Sequence, residues 1–169
     1  MWGSVAIGCY AAALATAGAS DLVRYEIPNA ASLLLVGAFV LIAPSLPLAA
    51  AGGHVAAAAL VFVLASLAFA AGICGGGDVK LLAATALWMG WRHLAAFVVL
   101  TALVGAALAL GLLAARWVAA RWPRLRTGRW YSRLLRDGEG VPYGVAIAIS
   151  GLALLSELGL TGLSPADVN

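Results

Sequence analysis

Asp21 and Asp78 are the residues of this chain on which chemistry could be built. Asp21 opens the break "DLVRYEIPN" after an apolar run, and Asp78 follows three consecutive glycines in "GICGGGDVKLLAA". Each sits where a long apolar stretch meets a short polar one. A carboxylate beside hydrocarbon is costly unless it is paired, hydrated or used. Two that converge cannot both ionise cheaply, so one proton tends to be shared. One of them then deprotonates a water while the other, protonated, donates to a carbonyl oxygen, which is the electronic requirement of an aspartic protease. Taken singly, a boundary aspartate serves equally well as a helix cap or a solvated stop. Residue type and position alone leave both readings open. Glycines 75–77 would let the backbone approach a substrate strand and swing Asp78 into place.

The elements that must position this pair are membrane helices. Of 169 residues 64% are hydrophobic and 10% charged, with a mean hydropathy of +1.02. Soluble domains carry about a quarter charged residues, so a water-soluble core is excluded. The two cysteines, Cys9 and Cys74, lie in apolar stretches outside any Cys-x-x-Cys, which excludes a disulfide framework or a zinc knuckle. The first apolar segment starts without a basic residue and reads as a retained helix rather than a cleaved signal peptide. Hydropathy predicts an all-α membrane protein, one domain over 1–169, built as a bundle of about six transmembrane helices. These are expected at Trp2–Ser20, Ala30–Ala43, His54–Cys74, Val79–Gly90, Leu94–Ala115 and Val141–Gly159, with "WRH" at 91–93 as a tight turn. Gly8, Ala12, Gly105 and Ala109, at four-residue spacing, suit close helix packing in lipid.

A basic loop at about 116–140 orients the bundle. It holds Arg116, Arg121, Arg124, Arg126, Arg129, Arg133 and Arg136, seven of the ten Lys and Arg residues. Basic loops stay on the cytoplasmic side, and the interleaved Trp117, Trp122, Trp130 and Tyr131 suit the headgroup level, with the arginines attracted to anionic lipids. Beside spanning helices this interfacial reading is stronger than RNA binding, so no nucleic acid partner is expected. Alternation then puts Arg24 and Lys80 inside as well, leaves only Arg92 outside, and carries both termini to the periplasmic side. Asp21 and Asp78 both fall at the cytoplasmic ends of helices.

Three stretches resemble the type IV prepilin peptidases. "GGGDVK" fits their Gly-x-Gly-Asp-x-Lys motif, "DLVRYEIPN" resembles their Asp followed by Ile-Pro-Asn, and "VPYG" at 141–144 looks like their third element near the last helix. The likeness is greatest to the short forms that serve tight-adherence (Flp) pili. It implies Asp21 and Asp78 as the catalytic pair and Gly75 and Gly77 as shapers of the active-site loop. The large bifunctional members carry a four-cysteine insert and also methylate the new N-terminus; this chain has no such insert. Their third element continues with proline where Val145 stands here, so Pro142 and Tyr143 receive no catalytic role.

Lys80 has Asp78 or a lipid phosphate as candidate partners, while Glu26, Asp137 and Glu139 read as solvated cytoplasmic charges. The sharper expectation is that one of these acids, Glu26 included, reads the basic leader of a substrate. His54 and His93 read as interfacial residues. The expectation is thus an aspartic endopeptidase of the bacterial inner membrane that removes the basic leader of a prepilin at the cytoplasmic face. It needs no cofactor or metal, since two carboxylates and a water suffice. The alternatives are a presenilin or signal-peptide-peptidase type of intramembrane protease, which should show Tyr-Asp and Pro-Ala-Leu motifs, and a small proton-coupled transporter using the Asp pair as a relay. Ser20 precedes Asp21, no Pro-Ala-Leu occurs, and no internal repeat is visible.

Overall fold

A computed structural model of the chain describes residues 2–122 and 140–155. The central basic stretch 123–139, with Asp137, Glu139 and five of its seven arginines, lies outside the described residues, as do Glu157 and the tail. The described residues form α1 (Trp2–Arg24), α2 (Asn29–Ile42) with a 3-10 turn at Ala43–Ser45, α3 (Leu48–Ala70), α4 (Gly76–Arg121) and α5 (Tyr143–Ala153). All regular structure among them is helical. Three helices, α1, α3 and α4, are long and apolar enough to cross a membrane. The 23 residues of α1 or α3 extend about 34 Å, enough for a hydrocarbon core of about 30 Å.

Among the described residues the expected six helices are corrected to five. Trp91, Arg92 and His93 are helical rather than a turn, so the segments expected as helices four and five form one 46-residue element. Only Gly90 leaves helical geometry, with φ 55° and ψ −169°. A straight helix of that length would run about 69 Å, more than twice the hydrocarbon thickness. At Gly90 the chain instead doubles back. Gly90 lies against His54 near the start of α3, whereas Gly105, Ala106 and Ala109 share a cleft with Ala65 and Ala68 near its end. A single glycine at positive φ replaces a connecting loop because its missing side chain leaves room for His54, whose ring would be 2.8 Å from a Cβ there. His54 Nδ1 in turn lies 2.8 Å from the Leu87 carbonyl, supplying a partner where the helix breaks. His54 is therefore part of the bundle's packing at the end where α4 reverses.

The core has an aromatic cluster at its centre, surrounded by aliphatic side chains such as Leu14, Leu35, Leu81 and Ile147 and by alanines. Tyr10 and Trp88 stack at 4.8 Å, and Phe39 meets both Trp88 and His54. Two buried donors reach main-chain carbonyls on other helices: Tyr10 Oη to Gly151 O at 3.0 Å and Trp88 Nε1 to Leu35 O at 3.0 Å. These bonds satisfy polar groups that hydrocarbon would leave stranded. Of the small residues with expected packing roles, Gly105 is in tight contact with Tyr143, while nothing lies within 4 Å of a Cβ on Gly8.

Candidate active site

The helix ends bring the two aspartates to one end of the bundle. Helix α1 runs four residues beyond the expected Ser20, so Asp21 lies in its last turn rather than in the polar break. The helix stops at Tyr25, a non-glycine residue with φ 56°, whose amide donates to the Asp21 carbonyl at 2.9 Å. Glu26, Ile27 and Pro28 then cross to the start of α2, and Ser20 Oγ ties this crossing down by donating to the Glu26 carbonyl at 2.8 Å. The Glu26 side chain is exposed.

The glycines on the other side divide the work differently from the expected flexible loop. Gly72, at φ 73°, ends α3: its amide donates to Phe69 O and that of Ile73 to Ala68 O, a left-handed helix stop. Gly75 is the extended residue before α4, and Gly76 and Gly77 are already in its first turn. Asp78 accepts the Gly75 N–H at 2.9 Å, capping the helix with its own third residue. Gly77 is required by packing, since a Cβ there would be 3.0 Å from Ile27 Cβ. The two motif regions thus touch through Gly77 and Ile27. They touch again where Lys80 Nζ donates to Asn29 Oδ1 at 2.9 Å, a partner different from the Asp78 or lipid phosphate expected for it.

Asp21 is 5% exposed and Asp78 is half-buried, close enough for the charge of one to act on the other. The main-chain amides of Gly144 and Val145, in the first turn of α5, face the Asp21 carboxylate. A helix N-terminus turns N–H groups outward, and here they meet an acid, the Val145 amide also reaching the Pro142 carbonyl at 3.2 Å. The approach is so close that a Cβ on Gly144 would be 2.8 Å from Asp21 Oδ2 and 2.7 Å from Ile27 Cδ1. Asp21 Oδ2 is nevertheless buried without a hydrogen-bond partner. The "VPYG" stretch was visible in the sequence, but that its main-chain amides face Asp21 is something no side-chain motif reveals.

Asp78 opens onto a cleft of about 610 Å³ between α3, both arms of α4 and the entry to α5. Cys74 and Tyr143 share its lining, and its floor is small residues of α3 and α4, such as Ala65, Ala68, Gly105 and Ala109. Asp21 lies behind this lining. Burial, with the Asp78 charge beside it, pushes the Cys74 thiol above its ordinary range. The site therefore offers two interacting carboxylates, one buried and one facing an open cleft.

A sequence model of the type IV leader peptidase family matches residues 9–110. The matched stretch contains Asp21, the 75–78 segment and Lys80, and ends before α5. Comparison with curated proteins and with solved structures gives no match.

Proposed function

The chain belongs to the type IV leader peptidase family, and from that membership we propose that Asp21 and Asp78 are its catalytic dyad. The substrate is a prepilin, cut between its basic leader and its hydrophobic helix. One carboxylate takes a proton from a water, whose oxygen attacks the scissile carbonyl carbon. The other carboxyl gives its proton to the carbonyl oxygen. Collapse of the tetrahedral intermediate breaks the C–N bond, the amine leaving with a proton and the leader keeping a new carboxylate. The observation that carries this reading is the convergence of two acids from separate helices at one end of the bundle, Asp78 held by the Gly75 amide and Asp21 facing those of Gly144 and Val145.

The finer parts of the reading follow from sequence and geometry. A hydrophobic substrate helix would enter from the lipid along the small-residue floor of the cleft and bring its scissile bond to Asp78. The arginines at 116–136 support a cytoplasmic face of the bacterial inner membrane for this end of the bundle, among anionic lipids, with both termini on the periplasmic side. Flp-type pilins are the substrate class that the motif resemblance favours. Gly75 and Gly77 shape the approach to Asp78, and Lys80 joins the two motif regions through Asn29. Glu26, exposed beside the site, is positioned to meet a basic leader.

Replacing either aspartate tests the dyad. Asp21→Asn and Asp78→Asn each keep the side-chain shape and remove the ionisable group, so each should lower leader cleavage by at least about 10³-fold while membrane levels stay normal. Near-normal processing by either variant, with a purified prepilin, would overturn the dyad. Proton flux in vesicles without peptide cleavage would favour the transporter.

A further inference from the structure

The first turn of α5 serves both halves of the site. Its amides at Gly144 and Val145 face Asp21, and the side chain of its first residue, Tyr143, lines the same cleft as Asp78. The phenol is close enough to Asp78 for the carboxylate charge to act on it. Its ring is held by α4: a Cβ on Gly105 would be 2.8 Å from Tyr143 Cε2 and 3.3 Å from Oη. Glycine at 105 is thus the notch that seats the ring. Among the described residues the half-buried hydroxyl makes no hydrogen bond, which leaves its proton available to a molecule in the cleft.

A peptide bond lying over Asp78 needs more than the dyad supplies. Its carbonyl oxygen has two lone pairs and gains negative charge on attack, and the protonated carboxyl addresses one of them. A second donor in the cleft stabilises the other, provided that it brings no positive charge to pair with Asp78. A phenol meets that requirement, since it is neutral at cellular pH and donates through O–H. We propose that Tyr143 is a further catalytic residue, its hydroxyl donating a hydrogen bond to the scissile carbonyl oxygen as the tetrahedral intermediate forms. The proposal rests on the peptidase reading above and adds to it a donor from outside the two aspartate motifs.

The test uses the full chain in detergent micelles, with a purified prepilin that keeps its basic leader and hydrophobic helix. Tyr143→Phe leaves the ring in the Gly105 notch and removes only the hydroxyl. The expected result is a fall in kcat of about 10²-fold, the loss typical of one oxyanion donor, with KM within threefold and Tm unchanged. A variant with kcat within threefold of the parent overturns the role of Tyr143 and leaves the dyad standing. If the parent itself does not cleave, the peptidase reading falls and Tyr143 with it. Gly105→Ala gives a second measurement, because it displaces the ring while leaving the hydroxyl on it. Its loss should be large alone and small when added to Tyr143→Phe; two losses that multiply would overturn a shared role.

Discussion

Gly144 is constrained by its neighbours on two sides. Asp21 Oδ2 and Ile27 Cδ1 both lie under 3 Å from where its side chain would begin. Either the carboxylate or the α5 amides must move if a methyl group is added, and overpacking of this kind costs about 1–3 kcal/mol. Gly144→Ala should therefore reduce leader processing by about tenfold or more, since about 1.4 kcal/mol is tenfold in rate. Val145→Ala keeps its amide and should process near the parental rate. Processing assays on membranes with matched protein levels compare the two, and equal rates would mean that the α5 turn does not hold Asp21. Nothing in the residue types singles out 144 over 142 or 143. What it contributes is an amide and an absence of bulk, and its contacts lie more than a hundred positions away.

At the scale of elements, the run 75–77 separates into residues with different reasons to be glycine. A Cβ on Gly76 would sit 3.7 Å from the Phe69 ring, ordinary contact, and alanine favours a helix by about 1 kcal/mol over glycine. A Cβ on Gly77 would press on Ile27 at 3.0 Å, and valine would press further. Gly76→Ala should keep at least half of the parental cleavage, while Gly77→Val should lose at least tenfold by parting α4 from the 25–28 crossing. Leader cleavage normalised to blotted protein distinguishes them, and equal activities would remove the close contact from the account. That glycine stands beside Asp78 was legible in the sequence. Its reason was not, because bending and close approach leave the same residue behind.

The whole bundle was legible in class and incomplete in connection. Hydropathy found every described helix to within a few residues at most ends, including α2, whose limits Pro28 and Pro44 announce. It failed at 91–93, where a tryptophan, an arginine and a histidine resemble a turn by polarity while Gly90 alone makes the reversal. Orientation is a property of the whole molecule too. Cysteines placed at Thr127 and at Ala50, an exposed residue in the first turn of α3, in a background without Cys9 and Cys74, should react with an impermeant maleimide from opposite sides. Thr127 lies in the basic stretch outside the described residues, so the test reads its side directly. Reaction of Thr127→Cys in intact cells would reverse the orientation and move the aspartates to the outer face.

The buried bond from Tyr10 Oη to Gly151 O joins residues 141 positions apart, and α1 packs directly on α5. During synthesis the first of these helices waits for the last. A nascent chain that has released α1 to α4 already carries both aspartates, the glycine run and the Lys80–Asn29 pair. It has no amides to set against Asp21, no tyrosine for the cleft and no carbonyl for Tyr10. The site is thus completed late, when the ribosome has delivered residues 143–151, and a chain stopped short of them holds the recognisable motifs around an unfinished centre.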